Sequence, residues 1–189
     1  MQGIALPNST TYIGDEAFKD CKSLAYVAFG PNVKEIGTSA FCGDDKLMNV
    51  SRLNDIDPGH TFDIVGDCAF YGASLKKANL ALRSSSIYTF WGDYCFAENK
   101  SLEEVNFLSS CYMSTGMFKG CTKLKDVNFK NNHTSYVYPN VFEGCTALST
   151  ITLPSKIWYI SENMFKDCSS LKTVSFNTYD ASDSSINLI

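Results

Sequence analysis

The chain has 189 residues, enough for one or two domains with a substantial core. Its 44% hydrophobic and 19% charged residues mark a folded chain rather than a disordered one. A net charge of −4 with no cluster of Lys and Arg argues against a nucleic-acid partner. No apolar run approaches the ~20 residues of a membrane-spanning helix, and MQGIALPNS lacks the basic-then-apolar layout of a signal peptide.

Along the chain one phrase returns seven times, anchored on Phe18, Phe41, Phe70, Phe96, Phe118, Phe142 and Phe165. The intervals are 23, 29, 26, 22, 24 and 23 residues, the spacing of a solenoid. Ile4, Leu6 and Pro7 match Val27, Phe29 and Pro31, so the chain opens partway through a repeat. Met1 is therefore expected to mark a fragment boundary rather than a native start. Five positions before each Phe stand Ile13, Ile36, Val65, Trp91, Met113, Val137 and Ile160, all apolar. Six positions after it come Leu24, Leu47, Leu102, Leu124, Leu148 and Leu171, with Leu75 in the shortened third repeat. Nine after come Val27, Val50, Val105, Val127, Ile151 and Val174, with Ala78 in the third.

Each column carries a structural expectation. Leu-x-x-Val-x-Phe alternates with period two and predicts a short strand. Asp15, Thr38, Asp67, Asp93, Thr115, Pro139 and Glu162 suit the start of a single helical turn, where acceptors meet free backbone N–H groups. Gly14, Gly37, Gly66 and Gly92 precede that turn and are expected to allow a sharp bend. Segments such as TTYI, VKEI and KIWYI read as a second extended piece. One repeat buries little alone, whereas stacked repeats place Phe on Phe and Leu on Leu.

These residues, in LxxVxFGPNVKEIGxxAFxxC (24–44, with Asp44 in the Cys place) and LxxITLPSKIWYISxxMFxxCxxLxxVxF (148–176), resemble BspA-type leucine-rich repeats over about residues 4–177. The resemblance implies an α/β leucine-rich-repeat solenoid, a right-handed, curved, β-rich stack of about seven repeats. It also implies a cell-surface or secreted protein, of the kind described as adhesins. Asp44, Ala73 and Asn99 stand where the pattern has Cys, and residues 52–64 and 80–91 lengthen two connections, which loosens the middle. Residues 1–177 are read as the solenoid, and the Ser/Asp-rich 178–189 as a polar tail.

Little of the chemistry-bearing inventory forms a site. Cys21, Cys121, Cys145 and Cys168 share one column, so their Cβ atoms point alike rather than converge. They are expected as buried free thiols. Cys42, Cys68, Cys95 and Cys111 lie off that column, and a bridge among them stays open. His60 and His133 sit in polar connections out of phase with the repeats, and no catalytic or metal-ligand motif appears. Asp55, Asp57 and Gly59 start like a calcium loop, but His60 and Gly66 stand where its Gly and Glu belong. Four Asn-x-Ser/Thr matches occur, at Asn8, Asn49, Asn99 and Asn132. Neither cofactor nor metal is expected.

Two surfaces remain as candidates. The strand columns Tyr26, Asn49, Lys77, Glu104, Asp126, Thr150, Thr173 and Ala28, Ser51, Asn79, Asn106, Asn128, Thr152, Ser175 predict a small polar face turned to solvent. An aromatic surface of Tyr12, Tyr88, Tyr112, Tyr136, Trp158 and Tyr159 is the alternative. The expected function is a non-catalytic, monomeric binding module recognising a protein or glycan. A structural spacer within a larger surface protein is the competing expectation.

Overall fold

The structure, a computed structural model, describes residues 2–51, 53, 61–81, 90–109, 112–130, 136–157 and 159–177. Seven coils stack in parallel, and each has three walls. The Leu-x-x-Val-x-Phe segments form the first wall. Its strands are β1 (Gly3–Ala5), β3 (Tyr26–Ala28), β5 (Asn49–Val50), β7 (Lys77–Leu80), β9 (Glu104–Phe107), β10 (Asp126–Phe129), β11 (Thr150–Leu153) and β12 (Thr173–Phe176). They pair in the orders β1-β3-β5, β7-β9-β10 and β11-β12, all parallel. Register follows the repeat: Val27 lies beside Val50, Val105 beside Val127, Ile151 beside Val174. Asn79 N–H donates to Leu53 O at 2.7 Å and carries the wall past the long 52–64 connection.

The second wall is the extended piece before each Phe. Its strands β2 (Tyr12–Ile13), β4 (Glu35–Ile36), β6 (Ile64–Val65) and β8 (Phe90–Trp91) pair in that order, and a Met113–Val137 bridge continues them.

The third wall corrects the expected helical turn. Among the described residues no helix forms. Instead φ is positive two residues before and two after every anchoring Phe, for example +54° at Glu16, +57° at Asp20, +63° at Asn140 and +74° at Gly144. A left-handed residue at every fourth position cannot propagate an α-helix. Ala17 N–H donates to Gly14 O and Cys21 N–H to Phe18 O, closing turns whose third residue has positive φ, as in type II. The alternate N–H groups point along the stack: Glu16 to Thr38 O, Phe18 to Ala40 O and Asp20 to Cys42 O, at 2.8–2.9 Å. The same three bonds recur at every junction up to Asn140 to Glu162 O, Phe142 to Met164 O and Gly144 to Lys166 O. The Asp column does accept backbone N–H groups, but those of the next coil. Asp15 Oδ1 takes Thr38 N–H at 2.8 Å, Asp67 takes Asp93 and Asp93 takes Thr115.

Inside, the anchoring phenylalanines form one stack with centroids 5.1–5.8 Å apart and planes within 10°. Phe41, Phe70, Phe96, Phe118 and Phe142 are fully buried, while Phe18 and Phe165, on the end coils, are half-buried. Of the glycines before the turn, Gly37, Gly66 and Gly92 are required by close stacking rather than by a bend, while a Cβ at Gly14 on the first coil would meet only Tyr12 at 4.0 Å. A Cβ at Gly66 would lie 2.6 Å from Thr38 N, and one at Gly92 would lie 2.3 Å from Asp67 N. Residues 178–189, expected as a tail, fall outside the described residues.

Candidate binding surfaces

The first wall turns one side chain in two outward, as period two requires. Tyr26, Asn49, Asp126, Asn128, Thr150 and Thr152 are exposed there, and Glu104 is half-buried. Asn79 and Asn106 depart from the expected solvent-facing column. Their side chains are 2% and 9% exposed and form a ladder with Asn128. Asn128 Nδ2 donates to Asn106 Oδ1 at 3.0 Å, and Asn106 Nδ2 donates to Asn79 Oδ1 at 2.9 Å and to Glu104 Oε1 at 2.8 Å. Glu104 also pairs with Lys77 at 2.9 Å, and these two bonds hold its carboxyl below the usual range. The centre of this face therefore satisfies its own polar groups. Exposed polar side chains lie at Tyr26 and Asn49 toward one end and at Asp126, Thr150 and Thr152 toward the other, where the Thr152 hydroxyl pairs with Ser175 at 2.9 Å.

On the second wall, one residue before each apolar position of the column, stand Tyr12, Glu35, Ile64, Phe90, Tyr112, Tyr136 and Tyr159; that apolar position is buried in every coil but the last, where Ile160 is exposed. Strand register aligns the first four directly. All five aromatic members are exposed, from 37% at Tyr136 to 52% at Tyr112, and Tyr112 and Tyr136 meet edge to face at 5.2 Å. Tyr138, 45% exposed, adds a ring two residues further on. Phe90 and Tyr138 are absent from the sequence-based aromatic set. Reading the whole column six places before each anchoring Phe would have found Phe90. Tyr88 and Trp158 of that set lie outside the described residues.

Beside this column runs a trough of about 250 Å³. Its floor is open because Gly37 and Gly66 carry no side chain, and Tyr12, Glu35 and Phe90 face Asp15, Thr38 and Asp67 across it. Beyond coil 4 the glycine column changes to Ser114, Tyr138 and Ser161. Ser114 and Ser161 fold inward onto Gly92 O and Tyr138 O at 2.8 and 2.7 Å.

The cysteine column is a lining of the core. Cys121, Cys145 and Cys168 are buried and donate to Phe96 O, Phe118 O and Phe142 O at 3.0–3.3 Å. Burial pushes the Cys121 thiol up to about 12 and Cys145 higher still. Cys21 breaks the expectation of a buried thiol: it is exposed, on the first coil. Cys42, Cys68 and Cys95 are free thiols, and Cys111 lies outside the described residues. Of the column's remaining places Ala73 fills one with a methyl group, and Asp44 and Asn99 fill two with polar groups. Asp44 Oδ1 accepts Cys21 N–H at 2.7 Å, but its Oδ2 and both amide atoms of Asn99 are buried without a partner among the described residues. Asn99 is fully buried, so its Asn-x-Ser match is closed to a glycan, whereas Asn8 and Asn49 are exposed. His60, His133, Asp55 and Asp57 lie outside the described residues, among which no three metal-ligating side chains gather.

The model of the BspA-type leucine-rich repeat region matches residues 1–57, 43–135 and 89–186, in six copies. The chain belongs to the BspA-type leucine-rich repeat family. Solved structures agree on the fold. A leucine-rich repeat protein from Bacteroides ovatus is 22% identical with a TM-score of 0.57, covering 92% of this chain and 54% of its own. The T. pallidum leucine-rich repeat protein is 19% identical with a TM-score of 0.54, covering 92% of this chain and 68% of its own. The BspA-type stack described here thus spans about half the length of the Bacteroides ovatus protein. No curated protein matches the sequence. In BspA-type terms, Asp44, Ala73 and Asn99 are substitutions in a Cys column whose buried geometry persists around them: Ala73 is 2% exposed and the other two 0%.

Proposed function

We propose that this chain is a non-catalytic binding and adhesion module of a cell-surface or secreted protein, which holds a protein or glycan partner against its repeat surface. The observation that carries the reading is the exposed aromatic column of the second wall, with Tyr12, Phe90, Tyr112, Tyr136 and Tyr159 at equivalent places in their repeats. Aromatic rings left in solvent at repeated positions cost burial that the fold could have used, and they are enriched in contact surfaces. The first-wall face supports a secondary role through Asp126, Asn128, Thr150 and Thr152, which keep exposed polar atoms.

Size sets the strength. Seven coils at ~4.8 Å make a wall roughly 35 Å long. Even at a generous ~17 Å width the area, about 600 Å², falls below the ~800 Å² per partner of a standard interface. Binding by one monomeric module is therefore weak, and clustering raises it through effective concentration. The same narrowness favours a spacer as the second reading, since strands β2, β4, β6 and β8 are two residues each.

The test is a screen of extracellular matrix proteins and glycans on the chain immobilised at high density. Hits are repeated with Tyr112→Ala/Tyr136→Ala and, separately, with Asp126→Ala/Thr152→Ala. Loss with the first pair and retention with the second is expected. The reverse pattern moves binding to the first wall, and silence at every density leaves the spacer.

A further inference from the structure

We infer that the trough of coils 1–4 is a docking groove for a basic polypeptide segment, whose Lys or Arg side chains enter between Tyr12 and Phe90. This rests on the reading of the second wall as a binding surface and narrows it to one part and one chemistry. Tyr12 and Phe90 are 51% and 44% exposed at the two ends of the groove. They are three strand spacings apart through Glu35 and Ile64, roughly 14 Å. Between them Glu35 is exposed and, among the described residues, has no ion-pair partner. Across the floor Asp15 Oδ1 accepts Thr38 N–H and, at 3.4 Å, the Tyr12 hydroxyl, Asp67 Oδ1 accepts Asp93 N–H, and among the described residues Oδ2 of each has no hydrogen bond. Among the described residues no Lys, Arg or His lines the groove.

Three carboxylates and two aromatic rings around one trough define its complement. A guanidinium or ammonium group pairs with a carboxylate and is attracted to an aromatic face. A neutral sugar could use the rings but would leave the Glu35 charge uncompensated. At about 250 Å³ the space is smaller than the ~300–1,000 Å³ of drug-sized pockets, which fits one or two long side chains. The glycine floor fixes the place. In coils 5–7 the aromatic column continues, but Tyr138 stands where the glycines were, 45% exposed.

The experiment is fluorescence anisotropy of a labelled hexa-arginine peptide with the full chain, at low and at physiological salt. Saturable binding that weakens with salt is expected. Glu35→Gln should weaken it roughly fivefold, about 1 kcal/mol, and Phe90→Ala should weaken it too. Glu162→Gln removes the same charge from the last coil, at an exposed position away from the groove, and should leave binding unchanged. Circular dichroism and a thermal midpoint establish that each variant is folded. The inference is overturned if no saturable binding occurs, or if Glu162→Gln weakens binding as much as Glu35→Gln, which marks net charge alone. It is also overturned if chitohexaose or cellohexaose binds the groove and the peptide does not. A partner from the screen that needs Tyr112 and Tyr136 but tolerates Glu35→Gln sinks the groove and spares the broader reading. Silence in both assays removes both.

Discussion

Asp44→Cys should make this protein more stable at neutral pH and leave its stability nearly unchanged in mild acid. The Asp44 carboxyl sits in the buried Cys column at 0% exposure, with Oδ1 on Cys21 N–H and Oδ2 unpartnered. Burial raises its pKa from an ordinary 3.8 to about 6, against the smaller lowering from that N–H and from Lys22. Between about pH 4 and 6 the folded protein therefore holds a proton that the unfolded chain has released, so stability falls as pH rises through that window. A shift of roughly two units corresponds to about 3 kcal/mol, absent below the unfolded value and complete above the folded one. Cysteine is the residue that Cys121, Cys145 and Cys168 show to fit, with its thiol donating to the preceding coil's Phe carbonyl. Urea unfolding of both proteins at about pH 4 and about pH 7.5 reads the effect. The stability difference between them should grow by roughly 2 kcal/mol over that interval. A difference that stays constant with pH would refute the reasoning, because the cost would then lie in packing and not in a buried charge.

Phe118→Ala should cost roughly 3–5 kcal/mol, since Phe118 is fully buried between Phe96 and Phe142. Phe165→Ala should cost clearly less, because it stacks on one side and is half-buried; equal losses in thermal or urea unfolding would mean that the stack is not the core. Thiol titration of the native protein should label Cys21 quickly and Cys121 and Cys145 only on unfolding, as exposure at Cys21 and burial at the others dictate. Rapid labelling of the latter two would place them at the surface.

The sequence carried the architecture because a solenoid converts equal spacing along the chain into adjacency in space. Equal spacing sets Phe18, Phe41 and Phe70 in one stack and Val27 beside Val50. The turn was misread because its signals are shared. An acceptor such as Asp15 suits a helix start and a type II turn alike, and here it meets Thr38 N–H on the next coil. A sign of the left-handed positions was present in Gly43, Gly72, Gly120 and Gly144, all two residues past the anchoring Phe. It was diluted by Asp20, Glu98 and Asp167 at the same offset, where side chains accept the strain.

The sequence by itself determined the columns, their order and their direction, since covalent spacing and the two-residue period of a strand allow one answer. Tertiary structure decided what each outward column meets. Asn79, Asn106 and Asn128 hold equivalent places in the repeat, yet the first two are buried in a ladder and the third is exposed. Cys21 and Cys121 are equivalent in the same way, one exposed and one buried. Periodicity gives a side chain its direction, but burial depends on the surface placed against it, and that surface comes from residues tens of positions away.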